Sequence, residues 1–357
     1  MEASPVPSGP SARLRVGVLG SGFGGAVHVP AFAAQGRFDV VAIASPNRAE
    51  EVARERGVPH AFDTLETLLD GVEVDVVSVA TPPYLHRQAV VRSLERGKHV
   101  LCEKPFGLNV AECEEMVAAA TRAGTICAVA HEFRYMPSAI AIKELLDNGH
   151  LGAPRQIESQ FVSTWLRAHE QGRGPGWWFE HRRGGGIAGA ILSHLIDRAS
   201  WLAGRPPKSA SGFSRTANPQ RQFNGSAFAS DVADGSFALI DYGEGLVASV
   251  SADATHAVDS MLFAVHGEQR TAVASGKGLI DVTTFLVDKD ETAELEIAPA
   301  KHANLSSIRP DIPLFVALLD EFANAIDGKP AHYPTFEDAL ATQRVLEAVG
   351  YSTSSNP

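Results

Sequence analysis

Arg15-Val16-Gly17-Val18-Leu19-Gly20-Ser21-Gly22-Phe23-Gly24-Gly25 is an apolar run of strand length that ends in a G-x-G-x-x-G pattern. Taken alone, such a pattern is weak. Here it follows a strand and opens a helical segment at the start of an alternating strand–helix series, which is the context that makes it specific. Gly20 permits the tight turn and Gly22 lets backbone approach a pyrophosphate. Gly25 is read as the residue that lets helix and strand pack closely. The free N–H groups of the helix start then face the phosphates, with Phe23 inside the same loop. The stretch predicts a dinucleotide site.

The chain on either side supports that reading. Residues 40–44, 74–80, 99–102 and 125–130 are further apolar runs of strand length, separated by helical patterns such as 48–56 and 84–96. Continuous apolar strands alternating with helices predict a parallel sheet covered on both faces, an α/β Rossmann domain of doubly wound type. Its expected limits are 13–132, after a Pro-, Ser- and Gly-rich flexible tail at 1–12. Beyond His131 the pattern changes. A helix at 138–148 precedes alternating strand-like runs at 155–165, 233–242, 246–252, 261–266 and 279–287, with turn signals such as Tyr242-Gly243-Glu244-Gly245. This predicts a C-terminal α+β domain over 133–357 with a largely antiparallel, open sheet. Helices are expected at 313–327 and 336–348. The proline-rich stretch 203–225 reads as irregular.

Composition limits the function classes. The chain has 357 residues, 45% hydrophobic and 20% charged, a profile of a globular enzyme. The net charge of −11 and the lack of a Lys/Arg stripe argue against nucleic acid and anionic membrane surfaces as partners. No apolar run is long enough to span a bilayer, and the start lacks the character of a signal peptide. Cys102, Cys113 and Cys127 are three in number and lack metal-ligand spacing, so neither a disulfide framework nor a metal site is expected. Reduced thiols in a cytoplasmic protein fit better.

The tip of the second strand selects the cofactor. A carboxylate there would take the ribose hydroxyls of NAD, but the chain has Ala44-Ser45-Pro46-Asn47-Arg48. Ser45 can donate to a 2′-phosphate and Arg48 can neutralise it, so NADP is expected over NAD. Arg48 has a second reading, as a solvated first-turn residue of the next helix.

Three further motifs, taken in order, resemble the Gfo/Idh/MocA oxidoreductase family over nearly the whole chain. They are Ala80-Thr81-Pro82-Pro83-Tyr84-Leu85-His86, Cys102-Glu103-Lys104-Pro105, and Gly184-Gly185-Gly186 followed by His194 and Asp197. His28, three residues beyond Gly25, fits as well. The resemblance implies that Thr81, Pro82, His86, Glu103 and Lys104 line the nicotinamide side of the cleft. It also implies a cis peptide at Lys104–Pro105 and a proton transfer served by Lys104 and His194. A lysine at the carboxyl end of a parallel strand sits at the crevice where such sheets bind ligands, and imidazole suits a general base near neutral pH. In the family an Asp usually stands four residues before this His and a Gly two before; here those places hold Ala190 and Leu192. Asp197 shares a helical face with His194. It either orients that ring or bonds within its own helix.

Trp165, Trp177 and Trp178 lie near Arg167, His169, His181, Arg182 and Arg183, in the region the resemblance places at a substrate mouth. Aromatic faces suit sugar-like ligands and arginines suit carboxylates or phosphates. The same tryptophans also read as core, and the arginines as a solvated loop. Trp165, Arg167, Trp178 and Asp197 are the candidate substrate residues. The expected function is an NADP- or NAD-dependent dehydrogenase or reductase acting on a sugar, polyol or related secondary alcohol, as a homodimer or homotetramer. Two alternatives stand beside it: a non-enzymatic dinucleotide-binding regulator, and a redox-neutral enzyme that cleaves glycosides with bound NAD.

Overall fold

The structure, a computed structural model, describes residues 13–166 and 174–352. The expected tail at 1–12, Arg167 and His169 lie outside the described residues. Strands β1 (Leu14–Leu19), β2 (Phe38–Ala44), β3 (His60–Phe62), β4 (Val76–Val79), β5 (His99–Cys102) and β6 (Cys127–Val129) form one sheet in the order β3-β2-β1-β4-β5-β6. Every pairing in it is parallel. Strand order reverses between β1 and β4, so the crevice at their carboxyl ends is the place where such a sheet binds a ligand. Helices α1 (Val29–Gln35), α2 (Ala49–Arg56), α3 (Leu65–Gly71), α4 (His86–Glu95) and α5 (Val110–Ala123) connect these strands. The three-residue β3 was not apparent in the sequence, because its His60-Ala61-Phe62 is too short to carry a pattern.

The second domain begins with α6 (Pro137–Asp147) and β7 (Pro154–Val162). After α7 (Ser193–Ala203) come β8 (Ser209–Arg215), β9 (Gln220–Phe223), β10 (Ser226–Ala229), β11 (Gly235–Gly243), β12 (Leu246–Asp253), β13 (Ser260–Gly267), β14 (Thr271–Gly276), β15 (Val282–Val287) and β16 (Thr292–Glu294). Eight of these strands build one sheet in the order β16-β15-β14-β13-β7-β12-β11-β8. Only the β7–β12 pairing in it is parallel. The stretch 203–225, expected to be irregular, contains β8 and β9. Its strands are polar and lie at the edge of the sheet or in a separate hairpin, so they lack the apolar alternation of a half-buried strand. One face of the large sheet packs against α7 through Leu195, Ile196, Ala199 and Leu202. The other face leaves Phe213 and Leu239 about 60% exposed (59% and 62%).

Helices α8 (Ile312–Ile326) and α9 (Phe336–Ala348) end the described chain. Phe315, Leu319 and Phe322 of α8 enter the same core as Val16, Val27 and Phe32, and Phe336 of α9 joins Val100 and Met116. The division at 132/133 therefore separates the two sheets but not these helices. The chain returns to the first domain because α8 is apolar around most of its surface and must be covered on more than one side. Among the described residues, no helix is long and apolar enough to cross a membrane.

Candidate active site

The glycine loop is shaped by close backbone approach. Gly20 has φ +112°, and a Cβ there would lie 2.3 Å from the carbonyl oxygen of Ala80, so β1 and β4 leave no room for any side chain. A Cβ on Gly22 would meet nothing within 4 Å, which leaves its backbone open to a ligand. The reading of Gly25 needs correction. A Cβ on Gly24 would meet Val18 of β1 at 2.9 Å, whereas one on Gly25 would meet Val52 of α2 at 2.7 Å. Gly24 thus allows the helix–strand approach and Gly25 a helix–helix one. The helix opens with a π-helical turn at Gly24–His28, in which the Val29 N–H donates to the Gly24 carbonyl. Pro30 follows, and its missing N–H cannot continue an ordinary ladder there.

At the tip of β2, Ser45 Oγ lies 2.8 Å from Ser21 Oγ, which ties that tip to the glycine loop. Arg48 caps α2 and makes a forked ion pair with exposed Glu51, at 2.7 and 3.1 Å. Its side chain is about half exposed (52%). Thr81, beyond β4, has a buried Oγ1 with no hydrogen-bond partner, and Pro82 and Pro83 follow it into a short turn. The glycine loop, the open backbone at Gly22 and this unpaired hydroxyl together fit a dinucleotide laid across the switch point. His86 is fully buried, with its two ring nitrogens 2.9 Å from the Thr81 carbonyl and 3.0 Å from that of Pro105. Burial lowers its pKa. It braces the turns after β4 and β5.

Glu103 and Lys104 follow β5, and the Lys104–Pro105 peptide is cis. His28 lies between Ser78 Oγ at 2.7 Å and Glu103 Oε1 at 3.0 Å. Burial pushes the Glu103 carboxyl up, but the His28 hydrogen bond and the Lys104 charge outweigh it and hold the group below the usual range. An ionised carboxylate only accepts, so His28 Nε2 donates to Glu103. Lys104 leaves this braced carboxylate and reaches across to the second domain, where Nζ donates to the Ala190 carbonyl at 2.9 Å. That carbonyl belongs to a second π-helical turn, Ala188–Leu192, which leads directly into α7. Gly189 makes the approach possible, since a Cβ there would lie 2.8 Å from the ring of Pro105.

His194 follows in the first turn of α7, 1% exposed, stacked on Phe133 at 4.1 Å and edge-on to His131 at 5.5 Å. Burial pushes its pKa well down, and the nearby charges of Lys104, His131 and Arg198 add to that. The ring is therefore neutral at ordinary pH, as a base must be. Lys104 thus reaches the turn that leads into α7, and its charge is felt at His194. Asp197 is not a substrate residue and does not orient His194. It is buried, and Arg134 holds both of its oxygens at 2.6 Å. Arg134 also donates to Asp338 of α9 at 2.9 Å. This clamp fixes the turn Glu132–Tyr135 against α7.

The aromatic mouth divides. Trp165 is about half exposed (48%) beside Phe161, whereas Trp178 packs against the core of the second domain. Arg182 and Arg183 both pair with Glu180, at 3.1 and 3.2 Å, and Arg183 also stacks over Tyr84 at 4.5 Å. Arg183 thereby docks the second domain on the turn after β4, whereas Arg182 stays on the surface. Sequence reasoning missed His131, Glu132 and Arg134, although they directly follow the fifth predicted strand at its carboxyl end, where functional groups collect. It also missed Arg309, which lies over the Phe23 ring at 5.4 Å and pairs with Asp311. Among the described residues, no group of three or more His, Cys, Asp and Glu is arranged to hold a metal.

Comparison with known proteins adds to this geometry. The model of an oxidoreductase family with an NAD-binding Rossmann fold, Gfo/Idh/MocA, matches residues 14–131, and that of the Gfo/Idh/MocA C-terminal domain matches residues 139–273. An uncharacterized oxidoreductase of Synechocystis is 36% identical over 54% of this chain, a match that spans 52% of that relative. Levoglucosan dehydrogenase of Pseudarthrobacter phenanthrenivorans is 28% identical over 73% of each chain. A solved structure of a levoglucosan dehydrogenase in complex with NADH superposes with a TM-score of 0.82 at 24% identity, covering 94% of this chain and 96% of the other.

Proposed function

This chain belongs to the Gfo/Idh/MocA oxidoreductase family, and from that premise we propose that it is a nicotinamide-dinucleotide-dependent dehydrogenase or reductase acting on a secondary alcohol or ketone of a sugar, polyol or related compound. The observation that carries this is the meeting of Lys104, at the carboxyl end of β5, with the turn that presents His194. A charged donor and a neutral imidazole beside a dinucleotide crevice are what proton handling at a carbinol oxygen needs. When bound, the nicotinamide supplies or takes the hydride. Loop 20–25 holds the pyrophosphate and Thr81 Oγ1 serves the nicotinamide side. Lys104 binds and polarises the substrate oxygen, with its direction set by Glu103 and His28. His194 moves the proton. The relative named for levoglucosan supports a compact polyhydroxylated ring as substrate.

Absence of a carboxylate at the tip of β2, together with Ser45 and Arg48, supports NADP over NAD. The family description and the NADH-bound neighbour speak for NAD. A bound 2′-phosphate must draw Arg48 away from Glu51, and a titration with both dinucleotides decides the matter. The open face of the large sheet, with Phe213 stacked on Phe237 at 5.1 Å, is the proposed contact between copies of the chain. Sedimentation tests it. The buried, unpaired Cys102, Cys113 and Cys127 suit a reducing compartment, and the cytoplasm is the proposed location. The deciding assay follows reduced-nicotinamide absorbance against sugars, anhydrosugars, inositols and simple alcohols. Turnover of cyclic polyols supports the proposal. Turnover of simple alcohols alone, or tight binding without any turnover, overturns it.

A further inference from the structure

Three buried polar atoms without hydrogen-bond partners, His131 Nδ1, Glu132 Oε2 and His194 Nδ1, belong to side chains that lie together, with the rings of His131 and His194 5.5 Å apart. Two of them face each other. Glu132 Oε2 lies 3.8 Å from His194 Nδ1, and both side chains are almost wholly buried. A buried carboxyl oxygen and a buried ring nitrogen without partners each carry a desolvation cost. Closing the gap by roughly 1 Å would join them in a hydrogen bond. The clamp of Arg134 on Asp197 holds the two backbone segments in register for that contact.

We propose that Glu132 is the proton partner of His194, a positioning residue that exchanges a proton with Nδ1 while Nε2 exchanges one with the substrate oxygen. The reason lies in the burial of the ring. His194 faces the charges of Lys104, His131 and Arg198, so an imidazolium there is strongly disfavoured. A ring that cannot keep an added proton must pass one on from its other nitrogen. Glu132 is suited to receive it. Burial holds its carboxyl well above the usual range, with Glu103 and Asp311 acting in the same sense and Lys104 against it. Arg309 lies on the Asp311 side of the same group. The inference rests on the dehydrogenase reading for the identity of the proton's source.

In oxidation, the substrate O–H bond breaks and its proton joins Nε2, while the proton on Nδ1 joins the Glu132 carboxylate. The hydride leaves the same carbon for the nicotinamide, and the C–O bond becomes a carbonyl. In reduction every transfer reverses, and the ring stays neutral at both ends. The pair with its carboxyl protonated is the reducing form; the pair with a carboxylate is the oxidising form.

Glu132→Gln keeps the shape and removes the exchangeable proton. We expect kcat to fall by about 100-fold with KM within about 3-fold. In the oxidation direction the acid limb of the wild-type profile follows loss of the carboxyl proton; the residual activity of Glu132→Gln keeps only the limb of the ring, below pH 6.5. Glu132→Asp recovers part of kcat and guards against a folding artefact. Nitrogen NMR of His194 needs no substrate. In the wild type its tautomer should switch from Nε2–H to Nδ1–H as pH rises through ionisation of Glu132, and in Glu132→Gln the switch should vanish. Unchanged kcat in Glu132→Gln, or a wild-type tautomer indifferent to pH, overturns the proposal. A tautomer switch without turnover on any substrate supports the pair and contradicts the dehydrogenase reading instead.

Discussion

Loop 20–25 and the cluster around Lys104 serve the same cleft, but one is built of backbone and the other of buried side chains. In the loop, absence of atoms does the work. Gly20 has no space for a Cβ, Gly22 has nothing opposite it, and the ligand is expected to fill what they leave. In the cluster, Glu103, Lys104, His131, Glu132 and His194 come from the ends of β5 and β6 and from α7, and their charges decide one another's protonation. A backbone site tolerates change in its surroundings and fails at one glycine. A side-chain site depends on the packing that holds three segments together.

The clamp behind the cluster offers the largest stability effect. Asp197→Ala leaves Arg134 buried with only Asp338 to pair, and should cost about 3–5 kcal/mol of stability in denaturant unfolding. A loss under 1 kcal/mol would mean that packing, not the ion pair, positions α7. Next come the glycines. Gly20→Ala forces a Cβ into the Ala80 carbonyl at a positive φ and should destabilise the fold by about 2–4 kcal/mol. Gly22→Ala should leave thermal stability unchanged and weaken dinucleotide binding by about 10-fold, read by a fluorescence titration, because its new methyl meets only the ligand. Equal effects at the two glycines would break the contrast. The smallest effect belongs to Arg48→Ala, which should lower NADP affinity a few-fold and leave NAD affinity alone. No change for either dinucleotide would confine Arg48 to its pair with Glu51.

The same contrast explains what the sequence reveals. Strands β1, β2, β4 and β5 are legible because a parallel sheet buried on both faces demands unbroken apolar runs, and Phe336–Ala348 because its period is plain. Lys104 and His194 are legible through short motifs. Polar strands such as β8 and β9 are not, since an edge position imposes no alternation. Asp197 reads as a site residue because its spacing from His194 is right, and only the three-dimensional arrangement reveals that Arg134 occupies it. Glu132 is hidden for the opposite reason: nothing in its local pattern distinguishes a buried acid from a helix-turn glutamate. The swap of duties between Gly24 and Gly25 depends on the rotation of a helix that opens with a π-helical turn, which glycine spacing does not encode.

The claim that nucleotide binding and chemistry are held by separable structures is tested most directly in Lys104→Ala, by measuring dinucleotide affinity and turnover on the same preparation. The account predicts affinity within about 3-fold of wild type and turnover reduced by about 1,000-fold. Turnover near the wild-type level, or parallel loss of both, would contradict it.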